Sequence, residues 1–146
     1  MSAKRIVIGS DHGGFDQKES LKSWLVSQGH SVKDMGPENT ASVDYPDYAH
    51  TAAKLVKQEE ADFGILVCGT GLGMAIAANK VAGIRAVPVT SVEFAQLSRE
   101  HNDANVICLS GRFVDDATNK NIVSTFIGSD FEGERHARRI AKLEQI

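Results

Sequence analysis

Cys68 closes the apolar run Phe63-Gly64-Ile65-Leu66-Val67 and opens the stretch Cys68-Gly69-Thr70-Gly71-Leu72-Gly73-Met74. The pattern predicts a buried strand that delivers a thiol to its C-terminal edge, followed by a glycine-rich turn into a helix over 72–79. Open parallel sheets bind ligands at this edge. Successive backbone N–H groups in such a turn, with the positive end of the next helix, can hold an anion. A thiol aimed at that hole suits covalent or acid–base chemistry, although cysteine is also among the most buried residue types and would serve as a small core residue. Spacing alone leaves both readings open. It does weaken two others. The run Gly69-x-Gly71-x-Gly73 lacks the Lys-Ser/Thr ending of a P-loop, and it follows the third strand rather than the first, where a dinucleotide fold carries its fingerprint. The position of the arginine in a cysteine-phosphatase loop is Met74.

Other chemistry-bearing residues fall at strand ends. Asp11-His12 follows Ile6-Val7-Ile8-Gly9, and Ser110-Gly111-Arg112 follows Val106-Ile107-Cys108-Leu109. These ends should meet Cys68 in one crevice. His101-Asn102-Asp103 comes just before the fifth strand and needs a helix end to bring it near. Each has a plainer use: Asp11 or His12 can cap a helix, and His101 can be an ordinary helix C-terminal histidine. Arg135 and Arg139 share one helical face, about 6 Å apart along the axis. Guanidinium forks suit phosphate oxygens, but a solvated face paired with Glu132 and Glu134 fits the same spacing. Arg112, after a glycine at a strand end, is the better phosphate candidate.

The elements that would carry these residues alternate. Strands are expected at 6–9, 30–35, 63–68, 84–87 and 106–109. Helices should run from the first turn to about Gln28, from Pro46 to about Gln58, over 72–79, after Ser91 as cap, over 114–127 and over roughly 132–145. Short apolar strands separated by helices imply a parallel sheet covered on both faces. The last helix follows another helix with no strand between and carries a face too basic for an ordinary cover, so it should lie along a neighbouring subunit.

At 146 residues the chain fits one domain, 1–146, with a real core. A formal net charge of -3 argues against nucleic acid or membrane as the main partner. Two cysteines, Cys68 and Cys108, make neither a disulfide framework nor a zinc set. With no signal-like apolar stretch, a soluble reducing compartment is expected. Cys108 and Trp24 read as core, Met35 and Met74 as fillers. His30, His50 and His136 read as surface or supporting residues, and the flanking arginines also suit His136 to a phosphate.

Seven segments, taken together, resemble the B-type ribose-5-phosphate isomerase family, which includes allose-6-phosphate and galactose-6-phosphate isomerases. They are Gly9-Ser10-Asp11-His12-Gly13-Gly14-Phe15, Asp44-Tyr45-Pro46-Asp47-Tyr48-Ala49, Cys68-Gly69-Thr70-Gly71-Leu72-Gly73, Ala77-Ala78-Asn79-Lys80, Gly83-Ile84-Arg85-Ala86, Ser98-Arg99-Glu100-His101-Asn102-Asp103-Ala104-Asn105 and Gly133-Glu134-Arg135-His136-Ala137-Arg138-Arg139. The resemblance implies a Rossmann-like three-layer α/β sandwich with a five-stranded parallel sheet and an extra, exchanged C-terminal helix. It implies aldose–ketose phosphate isomerisation through an enediolate, with no metal or organic cofactor. Cys68 matches the residue that carries the proton between C1 and C2, and Met74 in place of a glutamate marks the cysteine-dependent branch. His101 matches the ring-opening histidine, aided by Asp11, and Thr70 a residue handling hydroxyl protons. Asn102 with the backbone of Gly69, Gly71 and Gly73 matches the enediolate stabilisers. His12, Arg112, Arg135 and Arg139 match the phosphate set, and Tyr45 the wall of the sugar pocket. A cytoplasmic homodimer or tetramer is implied, with the arginines of the last helix supplied by the partner. Ribose 5-phosphate is the leading substrate. Four- to six-carbon aldose phosphates and a non-catalytic sugar-phosphate-binding module are the alternatives.

Overall fold

Five short segments, four of them apolar and one a mostly polar edge strand, pair side by side in the computed structural model, which describes residues 2–146. They are β1 (Arg5–Ser10), β2 (Ser31–Asp34), β3 (Phe63–Cys68), β4 (Ala86–Pro88) and β5 (Val106–Ser110). All pairs are parallel, in the order β2-β1-β3-β5-β4. The helices are α1 (Phe15–Ser27), α2 (Tyr45–Lys57), α3 (Leu72–Ala78), α4 (Val92–Glu100), α5 (Asp116–Gly128) and α6 (Arg135–Leu143). No helix among the described residues is long and apolar enough to cross a membrane.

Alternation along the strands builds the layers. Ile6 and Ile8 of β1 join Leu21, Leu25, Ile65, Ala95, Ile107, Ile122 and Phe126, so α1, α4 and α5 cover one face. Val7 joins Ala49, Ala53, Leu66, Met74, Ala78 and Cys108, so α2 and α3 cover the other. This is the expected Rossmann-like three-layer sandwich, with α6 as the additional helix.

Three elements start two or more residues later than expected, each for a local reason. The β4 ladder starts at Ala86 because Asn105 takes the backbone of Arg85: Arg85 N donates to Asn105 Oδ1 at 2.8 Å and Asn105 N to Arg85 O at 3.1 Å. Asp115 accepts from Thr118 N at 2.7 Å and so caps α5 later than position 114. Gly133 and Glu134, with φ of 73° and 55°, delay α6 until Arg135. The expected cap Ser91 accepts from Phe94 N at 3.2 Å. His30 is no surface residue: it is buried, and its Nδ1 accepts from Lys4 N at 3.0 Å.

The chain places β2 on one side of β1 and β3 on the other. Connections therefore part between β1 and β3, and a crevice opens above their C-terminal ends.

Candidate active site

Three strand ends are drawn together by main-chain bonds at this crevice. Asp11 N donates to Val67 O at 3.1 Å, Gly111 N to Cys68 O at 2.9 Å and Arg112 N to Gly69 O at 3.2 Å. Ser110 Oγ donates to Gly69 O at 2.7 Å and accepts from Phe113 N at 3.0 Å, tying the two turns to each other. Such close backbone approach leaves little room for side chains. A Cβ on Gly111 would stand 3.0 Å from Gly13 O.

Cys68 is buried at the end of β3, and its Sγ accepts from Gly71 N at 3.0 Å. That donor is presented by a left-handed turn. Gly71 has φ +85° and a missing Cβ that would lie 3.1 Å from Cys108 O, so only glycine suits it. Thr70 is exposed beside it, its Oγ1 accepting from Leu72 N at 3.2 Å. Arg112 lies across the same turn: a Cβ on Gly69 would be 3.3 Å from Arg112 Nη1, and one on Gly13 would be 3.4 Å from Nη2. Tyr45, at the start of α2, covers Gly73, whose absent Cβ would stand 2.7 Å from Tyr45 Cε1. Asp11 Oδ1 accepts from Gly14 N at 3.0 Å, the capping use, and its half-buried carboxylate stays at the crevice. His12 Nδ1 accepts from Val43 N at 3.2 Å, which leaves Nε2 for a ligand.

The second cysteine differs in kind. Cys108 lies fully inside the sheet, and burial pushes its thiol well up, with Cys68 nearby adding to the effect. It remains a protonated core residue. Met74 is completely buried beneath the glycine turn and acts as filler.

His101 and Asn102 do not join this group within the chain. The register sets Gly64 against Val106 and Cys68 against Ser110, so residues before β5 belong to the amino-terminal edge of the sheet. Gly64 N donates to Asn105 O at 3.0 Å there. At a strand rise of about 3.3 Å per residue, the two edges are on the order of 13 Å apart. The expectation that a helix end would bring His101 to the crevice is therefore corrected: α4 runs back along the sheet and leaves its C-terminal histidine at the far edge.

A second cluster forms there. His101, Asn102, His136, Arg139, Ile140 and Leu143 line a cavity of about 310 Å³. Glu132 N donates to Glu100 O at 3.0 Å and so clips the segment before α6 to the end of α4. The His101 and His136 rings stack with centroids 4.4 Å apart and planes within 13°. Glu132 Oε1 lies 3.6 Å from His101 Nε2 and 3.7 Å from His136 Nε2. The three ligand atoms fall within 4.8 Å, a spacing a divalent ion could span. The ring planes argue against it, since lone pairs in two separated parallel planes cannot both point at one ion. Arg135 and Arg139 are exposed on α6.

Lys18 carries no role in the sequence reading, and Ser110 and Glu132 enter it only as a strand-end residue and as a surface partner for the arginines of the last helix. Lys18 had a visible signal, since it shares the apolar spacing of Leu21 and Leu25 on α1. Nothing in the sequence marks Glu132 as a neighbour of His101, because that contact crosses between helices.

Fold and site define an α/β protein with a crevice at a sheet edge lined by a thiol, a glycine turn and an arginine, groups whose chemistry suits a small anion. The family model for Ribose/Galactose Isomerase matches residues 6–143, and the chain belongs to that family. Ribose-5-phosphate isomerase B of Escherichia coli K12 is 45% identical over 143 residues, covering 98% of this chain and 96% of that protein. The crystal structure of a ribose 5-phosphate isomerase from Thermotoga maritima superposes with a TM-score of 0.98 at 46% identity, over 99% of this chain and 100% of that one. The Mycoplasma genitalium ribose-5-phosphate isomerase B, solved with bound ribulose-5-phosphate, superposes with a TM-score of 0.92 at 46% identity, over 97% of this chain and 94% of that one.

Proposed function

We propose that this chain interconverts D-ribose 5-phosphate and D-ribulose 5-phosphate, with residues 1–146 acting as one isomerase domain. The observation that carries the reading is Cys68 Sγ, held by Gly71 N–H at 3.0 Å at the sheet's ligand edge. The reaction needs a base beside a carbon next to a carbonyl, and donors where negative charge develops. Cys68 would take the proton from C2 of the open aldose and return it to C1. Backbone N–H groups of Gly69, Gly71 and Gly73, with Asn102, would stabilise the enediolate, and Thr70 would handle a hydroxyl proton. His12, Arg112, Arg135 and Arg139 would bind the phosphate, the remote handle whose binding energy positions the reacting carbons. Tyr45 would wall the sugar, and His101 with Asp11 would open the ring. Every step uses side-chain and backbone groups and calls for no cofactor.

His101, Asn102, Arg135 and Arg139 can serve Cys68 only from another copy, so the reading includes a homodimer in which the far edge of one chain faces the crevice of its partner. Exposed apolar residues beside the crevice support it: Leu72 and Ile76 share one face of α3 at 57% and 63% exposure, and Phe113 after β5 is 78% exposed. The cytoplasm is the compartment proposed for this metabolic reaction.

Proton NMR in heavy water tests the activity. Ribose 5-phosphate should yield the ketose with deuterium incorporated, and Cys68→Ala should lower the rate by about 10²–10⁴-fold, the usual contribution of a general acid–base group. Turnover that survives Cys68→Ala would remove the thiol from the chemistry. Faster turnover of allose 6-phosphate or erythrose 4-phosphate would move the substrate within the same class.

A further inference from the structure

Beside His101 stand two groups that the proposed chemistry does not use. Glu132 is fixed by its backbone bond to Glu100 O, and its Oε1 is nearly equidistant from the two imidazole Nε2 atoms. His136 is buried, and its Nε2 has no hydrogen-bond partner among the described residues. Its ring lies flat on that of His101. Burial, and after it the neighbouring Arg135, hold His136 below the ordinary imidazole range, which favours the neutral form of the stacked ring.

We propose that Glu132 and His136 are positioning residues for His101: the carboxylate holds the proton on Nε2, and the stacked ring fixes the imidazole plane, so that Nδ1 is the nitrogen offered to the sugar. The inference rests on the reading of His101 as the ring-opening residue. A carboxylate at 3.6 Å needs only about half an ångström of closure to accept from Nε2–H, the tightening expected when a ligand fills a site. A ring nitrogen that donates to a carboxylate leaves its opposite nitrogen as the basic one. Nδ1 would then take the proton from the anomeric O1–H. The C1–O1 bond becomes a carbonyl, the C1–O4 bond breaks, and its electron pair on O4 takes a proton from water. The imidazolium returns its proton to the hydroxide so formed, and His101 is restored with no net change in protons. Arg135 and Arg139 on the same helix would face the phosphate, leaving Glu132 as the carboxylate that faces His101.

The chemistry of the two sugars supplies the test. Ribulose 5-phosphate cannot close a five-membered ring, because its C5 oxygen carries the phosphate. Exchange of its C1 proton with heavy water thus reports the Cys68 step without ring opening. Glu132→Ala and Glu132→Gln should slow conversion of ribose 5-phosphate by about 10- to 100-fold, the cost of a misplaced catalytic group, while C1 exchange in ribulose 5-phosphate stays within about twofold of the parent. His136→Phe, which keeps a flat ring, should retain more forward activity than His136→Ala. In ¹⁵N-histidine spectra, neutral His101 should carry its proton on Nε2 in the parent and lose that preference in Glu132→Ala. Equal loss of both reactions, loss of neither, or a proton on Nδ1 in the parent would overturn the inference. If His101→Asn leaves ribose 5-phosphate conversion intact, the ring-opening reading itself fails. A disabled His101→Asn beside a fully active Glu132→Gln removes only the role of Glu132.

Discussion

Gly73 shows how a missing side chain shapes the pocket. The Tyr45 ring occupies the space a Cβ would need, 2.7 Å from Cε1 and 2.8 Å from Cζ. Gly73→Ala must push the aromatic ring aside, because the turn backbone beneath it is tied to two strands. Tyr45 walls the sugar in the proposed function, so the expected outcome is a raised KM for ribose 5-phosphate, about tenfold, with a smaller change in kcat. Steady-state kinetics check it, and an unchanged KM would separate Tyr45 from the sugar. Gly71 is a different case. There the backbone itself is left-handed, and a side chain would strain the turn that presents its N–H to Cys68.

At the scale of elements, the crevice depends on the connection from β2 to α2. Lys18 of α1 is completely buried, donating to Asp34 Oδ1 at 2.9 Å and to Pro37 O at 2.7 Å. The same connection supplies Val43 N to His12 and leads into Tyr45. Burial opposes ionisation of Asp34, but Lys22 and Lys18, with Gly36 N–H, hold its carboxyl below the usual range. A carboxyl depressed in the folded state adds stability above its unfolded value near pH 4, and loses that contribution as pH falls through the folded value. Thermal melts should therefore decline below about pH 4, and less steeply in Asp34→Asn. Lys18→Met should cost about 2–3 kcal/mol at pH 7, less than an orphaned buried charge because Lys22 still pairs with Asp34 at 2.8 Å. Urea unfolding measures it, and a neutral result would make the buried lysine dispensable.

Legibility in the sequence follows from the range of the interactions. The β3 strand could be read to the residue because five apolar or small positions run unbroken into a cysteine and a glycine turn. The ends of β1 and β5 could be placed beside it because parallel α/β topology sends strand ends to one edge. The start of β4 could not, since it depends on a side-chain bond from Asn105 twenty positions away. His101 was also hidden. Its edge of the sheet is set by the direction in which α4 returns, and no local pattern states whether a catalytic histidine serves its own chain.

The whole molecule, on this account, contains two half-sites. Cys68, the glycine turn, Tyr45 and Arg112 gather at one sheet edge, while His101, Asn102 and Arg139 gather at the other. A two-fold pairing that brings one edge to the other completes two centres at once. The most direct measurement is complementation between two disabled variants. Cys68→Ala and His101→Asn, each inactive as purified, are unfolded together, refolded at equal concentration and assayed for ribulose 5-phosphate. Random pairing makes half of the dimers mixed, each with one intact centre, so activity should return to about a quarter of the parent value. A mixture that refolds to dimers and stays inactive would contradict the account, placing Cys68 and His101 in service of the same chain or of separate reactions.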